Sequence, residues 1–331
     1  MDIEMLWERA RIIRDVRSFF DEKGYLETDT PLLSENLIPE SCLEVFQTTR
    51  LFPPASVQTP RPYWLVPSPE IWMKRLIAKH QASIYQVCKC FRNGESSGRQ
   101  HSPEFTMLEY YTMQADYRTS LALTEDLFSF LLRNCKTDDE QRAQLSPPFI
   151  KLTVAEAFKE WAGFDLYAVA ESPLAMEAEA RRLGLNPPPG LSVAELYDLI
   201  FIHTVEPKIN MKKPVALMNY PAFVPCLAKR GDEASGKGTV ERWELYVRGI
   251  ELANCFTEET APDEVRRFFE TEKAAKEKTA LVPHAVDDAY WKLFAGKTAF
   301  PPCSGVAMGL DRLIMTLCNR STIDSILPFS V

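Results

Sequence analysis

From His101 to Tyr111 the chain reads His-Ser-Pro-Glu-Phe-Thr-Met-Leu-Glu-Tyr-Tyr, and this segment constrains the fold more than any other. Phe105 to Thr112 reads as a strand, and side chains alternate along a strand. Phe105, Met107, Glu109 and Tyr111 therefore share one face. A ring, a carboxylate and a phenol on one face make a poor core pattern and a good pocket wall, with a flat surface for a base and an anionic spot for an ammonium. Ile84 to Phe91 reads as the preceding strand, and two strands around a polar loop are most simply an antiparallel hairpin. Arg92 and His101 flank that loop and can reach phosphates. Taken alone, the pattern also fits a hairpin with one solvated face.

Two further sets carry chemistry. Glu244, Glu251, Asn254 and Glu258 are an acidic group on candidate strands Glu241–Arg248 and Ile250–Phe256. Magnesium takes one or two carboxylates plus phosphate oxygens. Glu244 and Glu251 are an odd number of residues apart, so a turn near Gly249 is required to bring them to one face. Ser304-Gly305-Val306-Ala307-Met308-Gly309-Leu310-Asp311-Arg312 puts small residues before a helix start. Small residues let a ligand approach the backbone, and free amides at a helix N-terminus favour anions. Solvated acids and a tight turn with a surface arginine are the plainer readings of these two sets.

Around them, Ile3, Leu6, Ala10, Ile13, Val16 and Phe20 form one apolar helix stripe, stopped by Gly24. Tyr25 to Thr28 reads as a short strand, and residues 34–62 as irregular. Ser68 is placed to cap a helix that has Pro69 in its first turn and runs to about Lys79. Residues 120–205 read as mainly helical, with capping boxes at Thr153/Glu156 and Ser192/Glu195. Asp263 to Lys278 reads as a charged helix, Val306 to Leu310 as a strand and Asp311 to about Cys318 as a helix. Strands flanking a helical stretch, without regular βαβ units, predict an α+β fold with an antiparallel sheet.

A chain of 331 residues suggests one large or two modest domains. Its net charge of −8 argues against nucleic acid as a main partner, because neutralising phosphates takes basic excess. The eight cysteines include no C-x-x-C pair, and Cys88-Lys89-Cys90 lies outside the usual zinc spacing. They read as buried free thiols in a reducing cytoplasm. Neither a signal peptide nor a membrane-spanning apolar run is legible.

Together and in this order, the three sets resemble class II aminoacyl-tRNA synthetases. The segment Lys23-Gly24-Tyr25 to Thr30-Pro31 looks like their motif 1, the Arg92 hairpin like motif 2, and Gly309-Leu310-Asp311-Arg312 like motif 3. Within class II, Pro69-Glu70, Met73-Lys74-Arg75-Leu76, Pro103–Glu109 and Gly249–Asn254 are most similar to lysyl-tRNA synthetases. Motif 1 begins near Phe19, which leaves no room before it for a five-stranded anticodon-binding OB-fold. A stand-alone domain with this pocket resembles the elongation factor P–(R)-β-lysine ligases. Ala307, a glycine in lysyl-tRNA synthetases, adds to that likeness.

The resemblance implies a single class II catalytic domain over residues 1–331, with a helical insertion at about 120–205 and a homodimer built through motif 1. It implies ATP and magnesium as cofactors, a lysine-type amino acid as substrate, elongation factor P as acceptor, and a cytoplasmic enzyme without membrane or tRNA partners. Ser68, Pro69 and Glu70 would bind the amino group, and Glu109, Tyr111 and Glu258 the ε-ammonium, with Asn254 and Ala307 lining the amino-acid site. Arg92 would bridge carboxylate and α-phosphate. Asn93, Gly94, Glu95, His101, Ser102, Phe105, Leu252, Gly309 and Arg312 would serve ATP. Glu244 and Glu251 would hold magnesium, and Arg92, Glu251 and Arg312 would be catalytic. The chain departs from the family where Arg-Asn-Glu reads Arg92-Asn93-Gly94-Glu95: Glu95 either supplies the acid through a one-residue shift or is absent from the site. Ser102 stands for an asparagine, Cys255 for a glycine and Glu259 for a leucine.

Overall fold

The computed structural model of the protein describes residues 2–53, 57–94, 98–209, 211–232, 238–296 and 299–329. Its strands are β1 (Leu26–Glu27), β2 (Leu33–Ser34), β3 (Gln47–Arg50), β4 (Arg61–Leu65), β5 (Ile84–Phe91), β6 (Glu104–Met113), β7 (Ile150–Thr153), β8 (Val215–Pro221), β9 (Thr239–Val247), β10 (Ile250–Thr257) and β11 (Cys303–Gly309). The helices are α1 (Ile3–Glu22), α2 (Glu70–His80), α3 (Tyr117–Asn134), α4 (Asp139–Leu145), α5 (Val154–Ala157), α6 (Leu166–Val169), α7 (Pro173–Arg182), α8 (Val193–Ile200), α9 (Pro262–Thr279) and α10 (Leu310–Leu317). Eight strands form one sheet in the order β1-β5-β6-β11-β10-β9-β8-β7. The pairings are antiparallel except at the two edges, where β1/β5 and β7/β8 run parallel. The α+β reading therefore holds.

One face of the sheet is core and the other is the site. Leu108 and Tyr110 of β6 and Val306 and Met308 of β11 join α1, α3 and α10 in the main apolar cluster. The alternate residues of the same strands face the opposite way. A second cluster gathers α5, α7 and α8 against β8 and β9, around Phe158, Tyr197 and Leu217. Both expected capping boxes form. The stretch 120–205 is mainly helical, with one strand inside it. Ile150–Thr153 is a strand, held by its parallel pairing with β8. Helix α3 packs in the main cluster, through Leu121, Leu127 and Phe128, and not in the second one.

Other expectations shift. The buried side of α1 is Met5, Arg9, Ile12, Val16, Phe19 and Phe20. Only Val16 and Phe20 of the expected stripe belong to it, and Ile3 is exposed. The helix is rotated because a charged residue points inward: Arg9 pairs with buried Asp311 at 2.6 Å. The stretch 34–62 is not wholly irregular, because β4 pairs with both β2 and β3 in a small separate sheet. These strands are short and largely exposed, and Pro62 lies within one, so no alternation marked them. Helix α2 starts at Glu70, one residue later than expected, with Pro69 before it and the Ser68 hydroxyl accepting from the Glu70 amide at 3.3 Å. The eight cysteines are free, but Cys42 is exposed and Cys88, Cys226 and Cys318 are half-buried.

Arg9 ties three elements together. It donates to the Thr106 hydroxyl at 3.0 Å on β6, while the Asp311 carboxylate at the start of α10 accepts from the Thr106 amide at 2.6 Å. Removing one partner of a buried pair strands the other charge. Arg9→Met is expected to lower unfolding free energy by about 3 kcal/mol in urea titration, and adding Asp311→Asn to recover part of that loss. Equal stability of Arg9→Met and the unaltered protein would contradict this reading.

Candidate active site

Sheet register builds the site. Glu109, Ala307, Asn254 and Glu244 are successive cross-strand partners on β6, β11, β10 and β9. Tyr111, Gly305, Phe256 and Arg242 form the next row in the same strands. Directly opposed residues project to the same face, and three strand spacings span roughly 14 Å. Two local devices put these residues in line. Arg248 and Gly249 both have positive φ, +53° and +76°, and form a tight two-residue turn that pairs Glu251 with Tyr246. That turn meets the sequence requirement and puts Glu251 on the face of Glu244. A β-bulge between Glu251 and Ala253 then adds one residue, so Asn254 joins them instead of facing away.

The resulting cavity encloses about 490 Å³. Ser68, Glu70, Arg92, His101, Ser102, Phe105, Glu109, Tyr111, Glu244, Glu251, Leu252, Asn254, Glu258, Ala307, Gly309 and Arg312 all line it. Three expected residues do not. Pro69 sits at the start of α2, its carbonyl accepting from Trp72 and Met73. Asn93 and Gly94 turn aside because the Asn93 amide donates to the Glu44 carbonyl at 2.9 Å, and the Asn93 side chain bonds the Val45 carbonyl. Glu95 lies outside the described residues.

One end of the cavity is acidic. Tyr111 donates to Glu109 Oε1 at 2.8 Å, and Glu109 Oε2 is buried without a partner among the described residues. Burial, then the nearby Glu70, holds the Glu109 carboxyl well above the usual range, and the Tyr111 bond opposes them. Burial pushes Glu258 up to about 7, against the pull of Lys74. Asn254 Oδ1 is likewise buried and unpartnered among the described residues. Buried polar groups left unpaired are costly, so this end is built for donors that a ligand brings. Gly305 makes room for them: a Cβ there would lie 2.4 Å from Glu258 Oε1 and 2.5 Å from Tyr111 Cε1.

The other end is cationic. The Arg92 guanidinium sits 5.3 Å from the centroid of the Phe105 ring. Arg312 donates to the Glu251 carbonyl at 2.8 Å and the Gln100 carbonyl at 3.1 Å, joining motif 3 to the acidic hairpin and the motif 2 loop. Burial, then Glu244, raises Glu251 to about 7, and Arg312, Arg242 and Arg92 pull it down. Glu244 is already engaged, accepting from Tyr220 at 2.6 Å, Tyr246 at 2.8 Å and Arg242. Among the described residues no cluster of three metal-type ligands exists. Two carboxylates beside Arg92, Arg242 and Arg312 still suit magnesium, which takes one or two carboxylates and keeps several waters.

The family description "tRNA synthetases class II (D, K and N)" matches residues 3–331. The chain belongs to this class II synthetase family. Among similar class II proteins, the elongation factor P–(R)-β-lysine ligase of Avibacterium paragallinarum is 36% identical over 99% of this chain and 96% of its own length. Those of Mannheimia succiniciproducens and Pasteurella multocida are 34% and 35% identical over 99% of this chain and 95% of theirs.

Sequence reasoning passed over several residues of this class II site. Lys74 was read only as part of a resemblance, yet its side chain is 1% exposed and pairs with Glu70 at 2.5 Å and Glu258 at 2.6 Å. Arg242 holds Glu244 and lies 4.4 Å from the Tyr220 ring centroid. Gly305 was read as one small residue among several. A lysine at i+4 from a glutamate on a helix was the available signal for Lys74. Gly305→Ala is expected to raise KM for the amino-acid substrate at least about tenfold while KM for ATP stays within about twofold, measured by pyrophosphate exchange. Unchanged amino-acid KM would show that the acidic end does not hold the substrate.

Proposed function

We propose that the chain is an ATP-dependent, AMP-forming ligase that activates lysine or (R)-β-lysine and transfers it to a lysine side chain of elongation factor P. The observation that carries this reading is one cavity lined by Glu70, Glu109 and Glu258 around Tyr111 and Gly305, and by Arg92, Arg242 and Arg312 beside Glu244 and Glu251. A substrate with two ammonium groups and a carboxylate complements that arrangement, since each buried charge needs a partner. Similarity over nearly whole chains to proteins named for this ligation supports the acceptor.

On this reading Glu70 and Ser68 receive one amino group, and Glu109, Tyr111 and Glu258 receive the other. Ala307, between Glu109 and Asn254 in the sheet row, puts a methyl where it limits the room for the substrate's carboxylate end. Arg92 aligns that carboxylate with the α-phosphate. Phe105 offers its ring to adenine, and Arg312 faces the nucleotide. Glu251, with Glu244, would hold magnesium, which supplies charge neutralisation at the phosphates. A carboxylate oxygen attacks the α-phosphorus and pyrophosphate leaves. Fixed cations that meet the developing charge lower the barrier to this step. The ε-amine of the acceptor lysine then attacks the carbonyl carbon, AMP leaves with the bond electrons, and the nitrogen gives up a proton to become an amide. No side-chain nucleophile is required.

Leu26, 58% exposed within the motif 1 segment, supports a homodimer through motif 1. Sedimentation at the monomer mass would contradict that assembly. No described helix is long and apolar enough to cross a membrane; an acceptor that serves translation supports the cytoplasm as the site of action.

The deciding experiment is ATP–pyrophosphate exchange with α-lysine and with (R)-β-lysine, followed by transfer of labelled amino acid to elongation factor P or to tRNA. Exchange with one or both isomers and labelling of the protein acceptor are expected. Arg92→Ala is expected to cut exchange at least about a hundredfold. Labelling of tRNA alone would replace this reading with that of a synthetase-like enzyme on tRNA, and no exchange with any amino acid would point to a non-catalytic amino-acid-binding protein.

A further inference from the structure

The acidic end contains a cation of its own. Lys74 projects from α2 between Glu70 and Glu258, with Nζ 2.5 Å from Glu70 Oε1 and 2.6 Å from Glu258 Oε2. One nitrogen therefore takes one oxygen from each carboxylate. The second oxygens remain, and Glu258 Oε1 is directed at the Gly305 and Tyr111 wall of the cavity. Glu109 adds a third carboxylate, with its Oε2 unpartnered among the described residues. Without Lys74, Glu70, Glu109 and Glu258 would share one buried pocket, with Glu40 beside Glu70. Lys74 sets one positive charge against them and pulls Glu109 and Glu258 towards their ionised forms.

We propose that Lys74 is the specificity-setting positioning residue of this pocket: it clamps Glu70 and Glu258 at a set separation with one oxygen of each turned to the cavity, and its charge favours the ionised carboxylates that a diammonium substrate needs. The inference rests on the functional reading above, since it assumes that the acidic end receives a diamino acid. Lys74 does not touch the substrate carboxylate or the reacting phosphorus; it acts through the two carboxylates. The titratable groups facing it are Glu70 on its own helix, Glu109 and Tyr111 on β6, Glu258 after β10, Tyr290, and Cys303 on β11. All six can take negative charge only; Arg75 lies beside Tyr290, and Lys74 is the cation that pairs with both Glu70 and Glu258.

Removing a positive charge from a set of buried acids makes them hold their protons to higher pH. An ammonium ligand needs them ionised. Lys74→Gln keeps a polar donor and discards the charge, whereas Lys74→Arg keeps the charge. In ATP–pyrophosphate exchange, Lys74→Gln is expected to raise KM for lysine at least about tenfold at neutral pH, with KM for ATP within about twofold. Its lysine KM should recover as pH is raised, along a profile shifted upward by about one pH unit or more from that of the unaltered enzyme. Lys74→Arg should recover more of the lysine kcat/KM than Lys74→Gln and keep the original profile. A Lys74→Gln enzyme with the unaltered lysine KM and pH profile would overturn the role of Lys74 while leaving the functional reading intact. So would equal impairment of Gln and Arg variants with no recovery at higher pH, because a packing role alone predicts that. Should Lys74→Gln not fold, the Arg variant decides: a displaced pH profile with charge retained overturns the proposal. Absence of exchange with any diamino acid by the unaltered enzyme would overturn both this proposal and the functional reading beneath it.

Discussion

Carboxylates buried on the face of a β-sheet are the constraint around which this structure is arranged. Glu109 and Glu258 are 2% and 3% exposed, and desolvation of such groups is expensive unless cations or donors reach them. Lys74 meets part of that cost from within the chain, and Tyr111 meets another part by donating to Glu109. The remainder stays open as unpartnered oxygens in the cavity. On the proposed function, ammonium groups of the substrate would complete the set.

The cavity needs both ends on one surface, and sheet register provides this. Because opposed residues share a face, a single row can run from Glu109 through Ala307 and Asn254 to Glu244. The row depends on Gly249, where a tight turn needs positive φ, and on the bulge after Glu251, which changes which side chains look into the cavity. On the reverse face the same strands present Leu108, Tyr110, Val306 and Met308 to the main core. Packing there fixes the strands, and the strands fix the site. Arg9 adds a polar tie between α1, β6 and Asp311, so the helix carrying Arg312 is anchored from beneath.

At the far end, Glu244 shows how a site residue is held by its neighbours. Tyr220, Tyr246 and Arg242 all donate to it, and Tyr220 belongs to the second apolar cluster with Tyr197 and Phe158. The helical middle of the chain thereby supports the sheet: its core holds Tyr220, which donates to the Glu244 carboxylate. Glu251, beside it, keeps a raised pKa because burial and Glu244 outweigh the surrounding arginines.

Much of this was legible before any coordinates. Local rules located both hairpins, α2, α9 and α10 to within a few residues, and alternation along β6 placed Phe105, Glu109 and Tyr111 on one wall. Those features depend on neighbours in sequence, through backbone period and capping. The short strands β2 to β4 and β7 were not legible, because their stability comes from pairing partners distant in the chain. Nor was the true buried side of α1, which Asp311, about 300 residues away in sequence, selects by drawing Arg9 inward. The sequence by itself determined which side chains of each strand could face a ligand and which chemistry they would offer. Only the tertiary structure decided that Asn93 and Gly94 turn away, that a bulge brings Asn254 into line, and that Lys74 sits between two acids. Each of those outcomes depends on long-range contacts, and Coulomb energy in a buried pocket depends on distances that no spacing in sequence encodes.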